Sequence, residues 1–221
     1  MKFCIFLPTT FFIDKKSYLY RIGHLYDVNK RIENYVDGLK ALNVALKEVE
    51  DSGWNPDVYL MDNSAAFDEL PDELKQAINE IKNITYIDNT IFHIYGKINK
   101  GSGLIEQYKE VKHIFKKYDV VIHFEPRQKL LESTFFKKVI ANPERNFFKM
   151  YKNVYFNTGL FSIDAKIWMK YVNFANAKNL ADNFISIEHH LFNFFKNNNY
   201  KFEQTNLGLL WVRPGQQDIK C

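Results

Sequence analysis

Between Asn99 and Gln128 the sequence gathers the side chains with the greatest chemical reach. Directly after the apolar run Val120-Val121-Ile122 come His123, Glu125, Arg127 and Gln128. Residues two apart on extended chain project to one face, so His123 and Glu125 would share a side. One imidazole and one carboxylate in that arrangement would ligate Mn²⁺ or Mg²⁺ together with diphosphate oxygens. The planar fork of Arg127 suits a diphosphate. The plainer alternative is that Glu125 simply pairs with Arg127, although several polar groups after an apolar strand fit poorly in a core. Upstream, Asn99-Lys-Gly-Ser-Gly103 offers backbone N–H groups and Lys100 to an anion at a helix start. Gly101 and Gly103 would allow close approach, and Ser102 would cap the helix. The stretch matches neither the GxxxxGK nor the GxGxxG phosphate loop.

Two further groups carry possible chemistry. Asp62-Asn63 follows an apolar run and would hydrogen-bond a base or a ribose, or else form an ordinary turn. Glu188-His189-His190 lies among Ile185, Ile187 and Leu191, a helical setting. Glu188 would serve as a general base if the helix end faces a cleft, with Asp164 and Asp182 as substitutes. His189 and His190 point about 100° apart on a helix, which argues against a joint metal site. The aromatic segment Tyr18–Tyr26 would act as a sugar platform or as core filling.

The elements that must position these groups read as follows. Phe3–Pro8 is a buried strand with Thr9 and Thr10 at its carboxyl end. Arg31–Glu50 is a helix with Ile32, Tyr35, Val36, Leu39, Leu42, Leu46 and Val49 on one stripe. Val58–Met61 and Ile84–Ile87 are strands, Ile91–Tyr95 is a possible fourth, and Asp68–Lys82 and Leu104–Lys117 are helices. Asp119–Phe124 is a strand apolar enough to be covered on both faces. This alternation predicts a right-handed, mainly parallel α/β sheet, whose ligands sit beyond the carboxyl ends of its strands. After Gln128 the pattern loosens. It gives a helix over Phe135–Ile140, a strand over Val154–Ile163 broken at Asn157-Thr158-Gly159, and a helix capped by Asp164 through Val172. A helix over Phe184–Asn197 and extended chain over Tyr200–Val212 complete it.

Bulk properties narrow the classes. With 221 residues, 46% hydrophobic and 16% aromatic, the chain suits one packed domain and not disorder. A net charge of +4 from 30 basic and 26 acidic residues, with no isolated basic block, gives no reason to expect nucleic acid. Two cysteines form no framework of bridges, which favours a reducing compartment. Phe3–Pro8 is too short for a signal-peptide core and nothing later approaches a membrane span, so the expectation is a soluble, intracellular (cytoplasmic) protein.

Taken together, Pro8-Thr9-Thr10, Asp62-Asn63, Asn99-Lys-Gly-x-Gly, the strand ending in His123-Phe-Glu125, Asn157-Thr158-Gly159 and a late helical acid resemble the GT-A class of nucleotide-sugar glycosyltransferases. Size and layout are similar to the small glycosyltransferase domains of large viruses. The departure is that His123-Phe-Glu125 stands where that class has Asp-x-Asp. The resemblance implies a single GT-A-like domain, with residues 1–128 as nucleotide-binding half and 129–221 as acceptor half. It implies transfer of a hexose or deoxyhexose from a nucleotide diphosphate sugar to a glycan or other hydroxyl acceptor, with inversion, a retaining course remaining open. Thr9, Asp62, Asn63 and Lys100 would hold the nucleoside, Glu125 and Arg127 the diphosphate or, with His123, the metal, and Glu188 would deprotonate the acceptor. The alternatives are a sugar-nucleotide nucleotidyltransferase, whose glycine-rich, arginine-containing loop is missing after Pro8, and a non-catalytic nucleotide- or glycan-binding domain.

Overall fold

The computed structural model describes residues 1–13, 27–90, 94–212 and 219–220. Its strands are β1 (Phe3–Thr9), β2 (Asp57–Asp62), β3 (Ile84–Asp88), β4 (Val120–Phe124) and β5 (Lys129–Leu130), then β6 (Phe147–Tyr151), β7 (Tyr155–Asp164), β8 (Glu203–Gln204), β9 (Leu209–Trp211) and β10 (Ile219–Lys220). Its helices are α1 (Val28–Glu50), α2 (Asp72–Asn79), α3 (Lys100–Glu110) and α4 (Lys112–Phe115), then α5 (Thr134–Ala141), α6 (Ala165–Phe174), α7 (Ala177–Asp182) and α8 (Ile187–Asn197).

Seven strands form the central sheet in the order β3-β2-β1-β4-β7-β6-β8, and β10-β9-β5 form a small second one. β3, β2, β1 and β4 are parallel, β7 runs against both its neighbours, and β8 follows β6 in parallel. Thus β7 is the one reversed strand of the seven. The mainly parallel α/β sheet expected from the alternation of elements is the observed one.

The inner strands are apolar without alternation because both faces are covered. Ile5, Leu7, Val120, Ile122 and Phe124 enter a core shared with α1, α2 and α5. Cys4, Phe6, Val121, Phe161 and Ile163 enter a second core shared with α3, α4, α6, α7 and α8. Among the described residues no helix is long and apolar enough to cross a membrane.

Local chemistry moves several expected boundaries. Asp27 starts α1 by accepting the N–H groups of Asn29 and Lys30, at 3.0 and 3.2 Å. Asn99, not Ser102, caps α3: its Oδ1 accepts Ser102 N–H at 3.2 Å, so the helix opens at Lys100 and buries both glycines in its first turns. The longer helix expected over Leu104–Lys117 is interrupted at Val111. Pro71 delays α2 to Asp72, after a 3₁₀ turn at Phe67–Glu69. Ser186 caps α8, leaving Phe184 outside with a φ of 51°. β7 runs on through Asn157-Thr158-Gly159, where the Asn157 side chain accepts the Gly159 N–H at 2.8 Å, but its pairing with β6 is irregular there, the register shifting between Asn157 and Ser162. Of the possible strand Ile91–Tyr95, only Ile94 and Tyr95 are described, and Tyr95 opens a 3₁₀ turn through Lys97. The aromatic segment Tyr18–Tyr26 falls outside the described residues.

One contact ties the fold directly to the chemistry at the end of β4. A Cβ placed on Gly38 of α1 would lie 1.9 Å from the carbonyl oxygen of Pro126 and 2.5 Å from that of Gln128. The helix backbone therefore rests on the turn that carries Arg127. In an open helix Gly→Ala stabilises by about 1 kcal/mol. Here overpacking against backbone dominates, and Gly38→Ala is expected to destabilise by roughly 1–3 kcal/mol in urea unfolding. A net gain in stability would show that the turn yields.

Candidate functional site

β7 outruns its neighbour. Its last partner on β4 is the pair Phe124–Leu160, so Tyr155–Gly159 extend beyond the end of β4. This overhang forms one wall of a cleft of about 470 Å³ at the carboxyl end of the parallel strands. Lys100 from the start of α3, Glu125 and Arg127 after β4, and Trp211 and Val212 at the end of β9 contribute other walls. Ser186, Glu188 and His189 enter from the start of α8. A second cleft of about 570 Å³, lined by Trp54, Asp57 and Tyr118 among others, includes the start of β1. It opens at the sheet's opposite end, away from where α/β sheets bind ligands.

The Glu125–Gln128 segment is a tight turn closed by Gln128 N–H to Glu125 C=O at 2.9 Å, with Pro126 second, where its fixed φ belongs. Glu125 N–H also donates to Gly159 C=O at 2.8 Å, joining turn to overhang. Gln128 is buried, and its Oε1 accepts Val212 N–H at 2.7 Å, which draws in the end of β9. The turn brings the Arg127 guanidinium to 3.7 Å from Glu125 Oε2. From α3, Lys100 Nζ donates to both carboxylate oxygens at 3.0 Å. Burial alone would push the Glu125 pKa up, but the two cations outweigh it and hold the carboxyl down at about 2. Glu125 is therefore a buried, ionised group.

Glu188 stands in the first turn of α8, where the helix dipole favours an acid. Thr158 Oγ1 donates to its Oε1 at 3.4 Å. Glu125 and Glu188 thus line one cleft. The substitutes lie elsewhere. Asp164 caps α6 through Ile167 N–H at 2.9 Å, and Asp182 pairs with Lys178 on α7.

Lys100, Glu125, Arg127 and Glu188 are thus brought together. Thr9, Asp62, Asn63 and His123 are not among the cleft's lining residues. Thr9 Oγ1 donates to Met61 C=O at 3.1 Å. Asp62 is wholly buried, and its carboxylate accepts from four donors: Phe11 N–H, Ser64 N–H, Ser64 Oγ and Ala65 N–H. Burial pushes its pKa up, with those donors pulling the other way. Asn63 accepts from Thr10 Oγ1 at 2.6 Å. These hydrogen bonds fasten the side chains to the loops after β1 and β2.

The expected metal ligands fare differently from each other. His123 is fully buried, stacked on Phe161 at 4.7 Å, with Nδ1 2.8 Å from the Tyr108 hydroxyl. Its Nε2 finds no hydrogen-bond partner among the described residues, although the Thr158 backbone lies near enough to raise the ring's pKa. Among the described residues no group of three or more His, Cys, Asp or Glu side chains is arranged to hold a metal ion. With a lysine astride both oxygens of Glu125 and His123 turned into the core, the residues present do not fit a divalent cation.

Several functional candidates escaped the sequence reading. Gln107 of α3, almost fully buried, donates from Nε2 to the carbonyls of Thr9 and Met61 at 2.9 and 3.0 Å, fastening α3 to the ends of β1 and β2. Its only trace in the sequence is a polar residue on an otherwise apolar helix face. Tyr155 and Trp211 line the cleft and meet through Tyr151, whose ring stacks on Tyr155 at 5.7 Å and meets Trp211 edge-on at 5.4 Å. Trp211 arrives by the pairing of β9 with β5, which no local pattern announces.

No protein-family model matches the sequence, and no curated protein matches it. Solved structures do. A crystal structure from Desulfovibrio desulfuricans G20, provisionally described as a nucleotide-diphospho-sugar transferase, superposes with a TM-score of 0.54 at 10% identity, covering 93% of this chain and 80% of that one. The galactosyltransferase LgtC in complex with donor and acceptor sugar analogs gives 0.42 at 13% identity, over 93% and 73%. The bifunctional glycosyltransferase WbbM gives 0.44 at 9%, over 78% and 34%. The last two likenesses are too loose to carry a residue correspondence. The first shows the fold, and the GT-A-like α/β architecture expected from the sequence is that of this chain.

The buried imidazole makes stability depend on pH. Burial pushes the His123 pKa down from 6.5 to about 4, Glu125 opposing and Lys100 reinforcing the shift. The unfolded chain takes up this proton first, so the contribution is complete above pH 6.5 and disappears as pH falls toward 4. Wild-type protein should lose about 2 kcal/mol from this group between pH 7 and pH 5. His123→Phe is expected to be less stable at pH 7, because Tyr108 loses its partner, yet to have a flatter profile over that interval. Urea midpoints at the two pH values measure both. Equal slopes in variant and wild type would assign the acid sensitivity elsewhere.

Proposed function

We propose that this chain is a glycosyltransferase, moving a hexose or deoxyhexose from a nucleotide diphosphate sugar to an acceptor hydroxyl. The observation that supports it is the convergence of Lys100, Arg127 and Glu188, from three separate elements, on one cleft beyond the parallel strands. In such a transfer the bond from the anomeric carbon to the diphosphate breaks, and negative charge grows on the leaving oxygens. Fixed cations beside that charge are the largest electrostatic help a site can give. Lys100 and Arg127 supply them. The acceptor hydroxyl must lose a proton as it attacks, and Glu188 takes it.

In this reading residues 1–128 form the nucleotide-binding half. Thr9, Asp62 and Asn63 serve it by fixing the loops after β1 and β2 against which the nucleoside lies. Residues 129–221 form the acceptor half, with the rings of Tyr155 and Trp211 offering apolar faces to a sugar. A base on the far side of the anomeric carbon from the diphosphate gives inversion. The free, buried Cys4 is consistent with a reducing, cytoplasmic setting. The likeness to glycosyltransferase domains of large viruses rests on the sequence alone.

Glu188→Gln removes the proton acceptor while keeping size and hydrogen bonding. Turnover with a matched acceptor should drop about 10²–10⁴-fold, with donor affinity nearly unchanged. Near-native turnover would remove Glu188 from the chemistry, and NMR of the product anomer would show whether the course is inverting.

A further inference from the structure

Resting on the glycosyltransferase reading, we propose that the cleft captures the donor's diphosphate without a divalent cation, the diphosphate displacing Glu125 from Lys100 and Arg127. Three observations carry this. First, Lys100 Nζ sits 3.0 Å from each oxygen of Glu125, the place a metal ion chelated by that carboxylate would take. Bringing a doubly charged ion there means opposing a lysine and an arginine already at hand.

Second, Arg127 is poorly used. Its side chain is 12% exposed, yet among the described residues its one ionic partner is Glu125, at 3.7 Å, beyond hydrogen-bond length. A guanidinium carries five donors in a rigid fork, and a nearly buried one holding a single loose contact leaves most of them open to the cleft it lines. A diphosphate, with its many oxygens, satisfies that fork as one carboxylate cannot.

Third, the two cations differ in freedom in the way an exchange requires. Arg127 stems from the Pro126 turn and is only 12% exposed, whereas Lys100 is 55% exposed on a flexible stem and can swing from carboxylate to phosphate. The second candidate ligand, His123, cannot supply an alternative, being stacked on Phe161 and bonded to Tyr108 on the core side. Glu125 thus acts as a stand-in anion. It holds both cations ready in the empty cleft and yields them to the donor.

The test is isothermal calorimetry of the folded protein with UDP, GDP, ADP and CDP, each in EDTA and in Mn²⁺. The nucleotide that binds should do so equally in both, within about threefold. Lys100→Met and Arg127→Met should each weaken it roughly tenfold or more, as the loss of a charged hydrogen bond requires. Glu125→Gln should lower thermal stability yet tighten nucleotide binding, because the competing charge is gone. Binding that appears only with Mn²⁺ and vanishes in Glu125→Gln would overturn the inference, making Glu125 a metal ligand and leaving the glycosyltransferase reading intact. Absence of binding by every nucleotide under both conditions would overturn that reading as well. If Glu125→Gln fails to fold, the wild-type comparison of EDTA with Mn²⁺ decides alone.

Discussion

A carboxylate held away from water stays ionised only where positive charge and donors surround it. Glu125 meets that condition at the end of β4, and much of the architecture follows from meeting it. Lys100 must come from a helix aimed at the strand's end, and Arg127 from a turn tight enough to fold back on residue 125. Gly159 must offer its carbonyl to the Glu125 backbone. These partners come from separate stretches of chain, so the ion cluster forms only once the central sheet and α3 are assembled.

The supports of α3 illustrate how much structure is spent on aiming one lysine. Asn99 caps the helix and also donates from Nδ2 to the carbonyls of Leu180 and Ile185. Gly101 lets the start of α8 come close, since a Cβ there would lie 3.0 Å from that of Ile187. One turn further on, Glu106 accepts the N–H groups of Ile94, Tyr95 and Gly96. Gln107 fastens the helix to β1 and β2. The first turns of α3 and α8 are therefore locked together, and with them Lys100 and Glu188. Gly101, which the sequence offers as room for a ligand's close approach, is thus also the residue that lets α8 pack against the start of α3.

What the sequence disclosed divides along the range of the interactions. β1, β2, β4 and α1 were legible because their apolar patterns are local consequences of burial on one stripe or two faces. The cap of α3 was misplaced because Asn99 and Ser102 are both good caps, and only the bonds of Asn99 to Leu180 and Ile185 select between them. Lys100, Glu125, Arg127 and Glu188 stood out as polar groups at the ends of apolar elements, which is where a cleft forms. Trp211 and Gln107 did not, since their positions depend on pairing across the chain. Asp62 is visible in the sequence at the end of an apolar run, but its bond to Phe11 N–H across the loop after β1 is long-range and is not.

His123 shows where a correct local rule gave an incorrect expectation. Residues 123 and 125 do lie on the same side of β4, as the pleat demands. Depth along the strand separates their fates. His123 is paired opposite Phe161, inside the sheet, where α3 supplies Tyr108 to cover it. Glu125 lies past the last pair of β4 with β7, where β7 runs on paired only with β6 and the cleft opens. An imidazole placed within the sheet gains most by staying neutral and packing on a ring. A carboxylate placed at its edge gains most by gathering cations. Because the reversed strand β7 overhangs β4, one step of the pleat divides core from cleft, and with it a structural histidine from a charge that lines the cleft.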